Sequence, residues 1–321
     1  MPRPMNPIEP TPLESPVRRL RVVPDFFAQA EDMRAVFDDR MRRERSRGPE
    51  SFIWDYWHVP GQYTYLRTFG DRYFPEPLTD AFLSRLRTWG RDVLGCGSIT
   101  PPWFSYYVEG CVQELHADVP HGPWAYVFSL TRWDSRRFSG GETELLSPET
   151  LEFWHHFSPD EGLEARQLVE RVPAAFNQLT VFDARIPHAV RAVHGTHDPL
   201  DSRVVLHGWF QYPELTTSDD IGDEKALVSL KLATAQLARR LEGADSVTGV
   251  VTVRVEFGGD GQVRETRVLS DTLVANAGDG PAPATVLERL MDALGGLRLT
   301  AAAEGSWAIV PVRLSSGQQD P

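Results

Sequence analysis

Five short runs dominate the middle of the chain: WFSYYVEG, WAYVFSLTRW, GETELLS, NQLTVFDA and SRVVLHGWFQY, all within residues 103–212. Each is rich in aromatic and β-branched residues, and turn material such as FSGG and HGTHDPLDS separates them. No helical pattern alternates with them. Strands without alternating helices favour antiparallel pairing, so the region predicts a mainly antiparallel sheet or barrel with helices packed on one side. The helical signal comes earlier. PDFFAQAEDMRAVFDDRMRRERSR places Phe26, Phe27, Ala30, Met33, Val36, Phe37 and Met41 on one face, and LTDAFLSRLRTWGRDVLG does the same with Leu78, Phe82, Leu86, Trp89 and Val93. Between them lies an aromatic loop, residues 52–74.

The ends read differently. Residues 1–20 are proline-dense and predict a disordered or extended tail. Residues 21–213 form the main domain. Residues 214–224, polar and acidic, read as a linker. Residues 225–321 read as a small α+β unit: an amphipathic helix, a hairpin in which Val251, Val253 and Val255 alternate with Thr252, Arg254 and Glu256, a helix at PATVLERLMDALGGL and a strand at SWAIVPVRLSS. The expected class is therefore α+β, with N-terminal helices on an antiparallel core and a C-terminal ββαβ domain.

The net charge of −12 argues against a phosphate-binding groove, so no nucleic-acid partner is expected. Only Lys225 and Lys231 are lysines, a usage that reads as GC-rich bacterial coding. Two cysteines, Cys96 and Cys111, lack zinc-site spacing and read as buried free thiols. The sequence shows no export-signal pattern and no membrane-length apolar run, so a soluble cytoplasmic protein without membrane partners is expected.

QELHADVPHGPW carries the chemistry. His116 and Asp118 lie two positions apart, so on extended backbone their side chains share one face and can reach one cation. With nine histidines and 23 aspartates, about one His-x-Asp arises by chance; the surroundings must decide. A second histidine would complete the two-histidine, one-carboxylate set that suits non-haem iron(II) and leaves adjacent positions open. His58, His121, His155, His156, His194 and His197 have loop-like surroundings, whereas His188 follows a strand 72 residues downstream. Arg203 opens an apolar strand on which Val205, His207 and Trp209 share its face, and an inward arginine requires an anion.

Taken in order, YVEGCVQELHAD, RWDSRRFSGGETELL, PHAVRAV and SRVVLHGWF resemble the prolyl-hydroxylase-like branch of the iron(II)- and 2-oxoglutarate-dependent dioxygenases over roughly residues 100–213. That resemblance implies a double-stranded β-helix (jelly-roll) core, with His116, Asp118 and His188 as iron ligands and Arg203 as anchor for 2-oxoglutarate. Tyr107 or its neighbour Tyr106 would add a hydroxyl to that cosubstrate. The gap from His188 to Arg203 is longer than the family's, which fits an inserted loop, HGTHDPLD; otherwise Arg191 or His194 would take the anchoring role. The C-terminal unit resembles a TonB-type C-terminal domain, departing at LRLTAAAEG, and implies a protein-binding or dimerisation module.

The resemblance implies an oxygenase that consumes dioxygen, with ascorbate stimulatory, and hydroxylates a C–H bond of a peptide, protein or small molecule. Three alternatives remain open at this point: a non-catalytic 2-oxoglutarate or metal sensor or interaction protein, an oxidative nucleic-acid demethylase, and a cupin-type barrel holding another metal. Trp103, Trp124, Phe128 and Trp209 are expected pocket walls, His121 and His207 expected neighbours of the site, and the 52–74 loop an expected cover.

Overall fold

The computed structural model describes residues 19–44, 54–147, 150–151, 153, 158–160, 168–219, 221, 224–276, 278, 280–299 and 302–315. Residues 1–18, most of the expected tail, lie outside these, as do His155 and His156. Arg19–Pro213 forms one compact unit, and the chain from Glu214 belongs to a second.

The first unit is built on strands β1 (Leu20–Val23), β2 (Asp55–Val59), β3 (Tyr63–Phe69), β4 (Trp103–Tyr107), β5 (Val112–His116), β6 (Trp124–Ser129), β7 (Thr143–Leu146), β8 (Val169–Val172), β9 (Gln178–Asp183), β10 (His188–Val190) and β11 (Arg203–Phe210). They make one antiparallel sheet in the order β1-β9-β6-β11-β4-β3-β5-β10-β7-β8, with β2 hydrogen-bonded to β3. The sheet curls. Strands far apart in that order, such as β7 and β11, contribute side chains to the same cavity, as in a jelly roll.

Helices α1 (Ala30–Glu44), α2 (Gly70–Tyr73) and α3 (Glu76–Leu94) supply the other layer. Met33, Phe37 and Met41 of α1 and Leu78, Phe82 and Leu86 of α3 pack with Phe104, Phe128, Val204 and Leu206 from the sheet. Each such fully buried side chain contributes about 1.5–3 kcal/mol. Gly95 ends α3 in the left-handed conformation, φ 75°; its N–H donates to the Arg91 carbonyl, and the Cys96 N–H to the Gly90 carbonyl. Both cysteines are free and buried.

Three local expectations change. Leu20 lies in β1, not in a tail. Phe26 and Phe27 are buried as expected but precede the helix, because their N–H groups donate to the Asn177 carbonyl and side chain at 3.0 and 2.9 Å. The aromatic loop is a hairpin. Gln62 N–H bonds the Val59 carbonyl, Gly61 sits at φ 70°, and β2 pairs with β3 from Asp55 opposite Arg67 to Val59 opposite Tyr63.

The second unit holds α4 (Glu224–Arg240), α5 (Pro283–Gly295) and strands β12 (Thr216–Thr217), β13 (Val247–Phe257), β14 (Val263–Asp271), β15 (Val274–Ala275) and β16 (Ser306–Leu314). Four of these run β12-β16-β13-β14, and Val251, Val253, Val255, Leu290, Leu294 and Val310 form its core. The segment read as a linker contributes β12, since Thr216 and Thr217 pair with Ile309 and Ala308; β-branched threonines suit a short edge strand. Among the described residues no helix is long and apolar enough to cross a membrane.

Candidate metal and anion site

Strand pairing brings the dispersed residues together. In the β10–β5 ladder His188 stands directly opposite His116, which puts their imidazole centroids 4.4 Å apart. Asp118 follows two residues later. Ligand atoms of His116, Asp118 and His188 all lie within 4.8 Å of one another. His188 Nε2 is 3.2 Å from Asp118 Oδ2, and His116 Nε2 is 3.7 Å from Asp118 Oδ1.

The hydrogen bonds fix how these groups point. His116 Nδ1 donates to the Glu114 carbonyl at 2.7 Å, and His188 Nδ1 to the Ile186 carbonyl at 2.8 Å. Each bond selects the Nδ1–H tautomer and leaves the Nε2 lone pair facing the other ligands. Trp209 donates its indole N–H to Asp118 Oδ2 at 3.1 Å. Tyr63 and Phe182 pack edge-on against His116 and His188 at 5.1 and 4.6 Å.

Burial, then the proximity of His188, pushes the His116 pKa down, against the pull of the Glu114 hydrogen bond and Asp118. Burial alone would raise Asp118. Its contacts with His188, then with His116 and the Trp209 indole N–H, hold it below the usual carboxylate value instead. A neutral imidazole and an ionised carboxylate are the forms a metal ligand needs.

The same cavity, about 160 Å³, is lined at another wall by Arg203. This guanidinium is 1% exposed. Its Nη2 donates to Thr143 Oγ1 at 3.3 Å, while Nε and Nη1 have no hydrogen-bond partner among the described residues. An arginine keeps its charge in a protein, and a buried charge with unpaired donors is strongly unfavourable unless an anion reaches it. The donor chemistry of the triad and these two orphaned donors fit a divalent metal beside a bound carboxylate.

Register again explains the neighbours. Arg203 is the cross-strand partner of Tyr107, and its guanidinium lies 4.6 Å from that ring. Tyr107 donates its hydroxyl to Gln113 Oε1 at 3.0 Å. Burial raises its pKa, so it stays protonated. Tyr106 does not join the site. Adjacent residues on a strand face opposite ways, and its ring packs on the helical side against Trp54 and Phe37 at 4.7 and 6.3 Å.

Of the expected walls, Trp103 and Trp209 line the cavity, but Trp124 and Phe128 are core. His121 lines it and stacks on Trp209 at 4.2 Å. His207 lines it too, bonding Ser105 Oγ at 2.9 Å, and burial together with the Arg203 charge pushes its pKa down to about 3. Arg191 pairs with Glu142 at 3.2 Å and is half-exposed, and His194 pairs with Glu109 at 3.0 Å, so neither replaces Arg203.

Sequence reasoning missed Thr143 and Gln113, which touch Arg203 and Tyr107. The 52–74 segment, expected as a cover, adds Trp57, Tyr63, Tyr65 and Arg67 to the wall through the β2–β3 hairpin, though the sequence singled out none of the four. Tyr63 and Tyr65 are two apart, a period that marks one strand face; reading VPGQ as a hairpin turn would have exposed it.

No family model matches the sequence, and no curated protein does. Solved structures similar to this chain include a Pseudomonas putida prolyl-4-hydroxylase, 18% identical with a TM-score of 0.41, covering 60% of this chain and 91% of that one. Another is a Trichoplax adhaerens prolyl hydroxylase in complex with a hypoxia-inducible-factor peptide fragment, at 12%, TM-score 0.39 and coverage of 60% and 83%. A third is an oxidoreductase of the 2OG-Fe(II) oxygenase family from Burkholderia pseudomallei, at 16%, TM-score 0.36 and coverage of 59% and 83%.

Proposed function

We propose that this chain is an iron(II)- and 2-oxoglutarate-dependent oxygenase that hydroxylates a C–H bond of a peptide, protein or small-molecule substrate. One observation carries the reading: a His116–Asp118–His188 cluster shares a cavity with a fully buried arginine whose Nε and Nη1 are unpaired. The three ligands would hold iron, and Arg203 would grip the distal carboxylate of the keto acid through charge-assisted hydrogen bonds. Bound there, the metal and cosubstrate supply dioxygen activation, with decarboxylation to succinate and carbon dioxide coupled to oxidation of the substrate.

The chain's own residues supply the geometry. The Glu114 and Ile186 carbonyls orient the two imidazoles, and the Trp209 indole fixes the Asp118 carboxylate. Thr143 and the Tyr107 ring position the guanidinium. Val127, Val190, Val205 and Phe182 give the cavity an apolar part of its wall. The C-terminal unit is read as a protein-binding or dimerisation module of the TonB type.

Succinate formation in the presence of iron(II), ascorbate and oxygen tests the reading. Wild type should turn over 2-oxoglutarate, and His116→Ala should bind manganese(II) poorly and produce no succinate. Undiminished turnover in that variant would exclude the ligand set.

A further inference from the structure

We propose that the mouth of this cavity binds a carboxylate of the substrate through Arg67, beside a flat or apolar body held by indole rings. For its place in the reaction this rests on the oxygenase reading; the binding itself does not.

Arg67 lies on β3, opposite Asp55 of β2 and Ser105 of β4. Its guanidinium sits between two indoles, 3.7 Å from the ring of Trp57 and 4.0 Å from that of Trp103. All three residues line the cavity. A planar guanidinium held between two aromatic faces has lost its rotamer freedom before any ligand arrives, so little further ordering opposes binding. Its fork suits a carboxylate in a way that a lysine would not.

The counter-charge already present is weak. Asp55 Oδ2 stands 3.3 Å from Arg67 Nε, with the aspartate side chain 56% exposed and the arginine 14% exposed. A solvent-exposed partner neutralises a cation poorly. Its cavity neighbours Tyr65 and His207 supply no opposing charge.

Division of labour follows from depth. Arg203 is fully buried, whereas the Arg67 side chain is 14% exposed and lies nearer solvent. Trp103 stacks on Phe69 at 4.3 Å, which fixes its plane, and His121 lies over Trp209 at 4.2 Å. With Arg67 and Phe69 covering Trp103, Trp57 and the His121–Trp209 pair are left to meet a planar or apolar body, and the substrate class is a carboxylate-bearing molecule of that kind. Its source is either a free aromatic acid or an acidic side chain beside an aromatic one in a peptide.

Calorimetric titration of the full chain without metal separates these. The probes are indole-3-acetate against indole-3-acetamide, and acetyl-Trp-Asp-amide against acetyl-Trp-Asn-amide. In wild type and Arg203→Met, at least one acid should bind about tenfold more tightly than its amide. Arg67→Gln should erase that preference, and Arg67→Lys should keep part of it. The pair that shows the preference identifies the source. Should Arg67→Gln not fold, protection of Arg67 from phenylglyoxal by the acid, and not by the amide, replaces that arm. The proposal is overturned by absence of preference in both pairs, by a preference that survives Arg67→Gln, or by one lost in Arg203→Met. Loss of 2-oxoglutarate affinity in Arg67→Gln would also overturn it, since Arg67 would then anchor the cosubstrate. Failure of the oxygenase reading shows separately, as absent iron and 2-oxoglutarate binding.

Discussion

Arg203→Met is the most discriminating perturbation, because it should act in opposite directions on binding and on folding. Methionine retains much of the stem that packs beside Gly141, whose Cβ position would be 3.3 Å from Arg203 Cδ. It removes a fully buried guanidinium with two unpaired donors. Removing one partner of a buried charged pair costs about 3–5 kcal/mol, so 2-oxoglutarate affinity should fall by about two to four decades. A ligand at one hundred times its Kd stabilises by about 2.7 kcal/mol, and after a hundredfold loss the same concentration gives only about 0.4 kcal/mol. For a unit of this size 1 kcal/mol moves Tm by about 2–4 °C. Manganese-loaded wild type should therefore rise by about 5–10 °C on adding 2-oxoglutarate, and the variant by about 1 °C. Without cosubstrate the variant should melt at or above wild type, since each unpaired buried donor costs about 1–3 kcal/mol, against about 0.5–2 kcal/mol for the lost contact with the Tyr107 ring. Differential scanning fluorimetry measures both. A 2-oxoglutarate shift retained in the variant, or a ligand-free Tm lowered by more than about 10 °C, would show that Arg203 is a structural cation and not an anchor.

Two further outcomes follow from the same cavity. Trp209→Phe keeps the ring but deletes the N–H that donates to Asp118 Oδ2; manganese(II) affinity, read by electron paramagnetic resonance, should weaken about tenfold or more, and unchanged affinity would remove Trp209 from the metal's support. His207 has a folded pKa pushed down to about 3, so below the ordinary histidine value of about 6.5 the unfolded chain binds a proton that the fold does not. Its contribution is present above about pH 6.5 and is lost as pH falls toward 3; urea denaturation should show a shallower acid-side slope for His207→Gln.

The apolar signal made half of this legible. Strands β4, β6, β9 and β11 are rich in aromatic and β-branched residues because both their faces are covered, and the helices α1 and α3 show their buried stripes at three- and four-residue spacing. Strand β5 reads VQELH and was not legible as a strand. Its polar residues line the cavity or face solvent, so the period-two apolar pattern is missing, and pairing to β10 and β3 sets its conformation instead. Strand β2 is exposed along most of its length, so DYWHV read as loop. At the site, His116, Asp118, His188 and Arg203 were named from motif order, and they share one cavity. The ambiguity between Tyr106 and Tyr107 could not be resolved without the register, since spacing alone does not say which parity faces inward.

That parity is set by residues with no role in the chemistry. In the β11–β4 ladder Arg203 faces Tyr107, Val205 faces Ser105 and His207 faces Trp103 on the cavity side, while Val204 faces Tyr106 and Leu206 faces Phe104 on the helical side. A one-residue slip of β11 would turn every side chain over. Arg203 would then enter the layer formed by Phe37, Phe82 and Phe128, and Val204 and Leu206 would lose burial worth about 1.5–3 kcal/mol each. The buried cation therefore stays in the cavity because its apolar neighbours leave it no other side. It is their packing, more than any contact made by the guanidinium, that holds an otherwise unfavourable group on the cavity side.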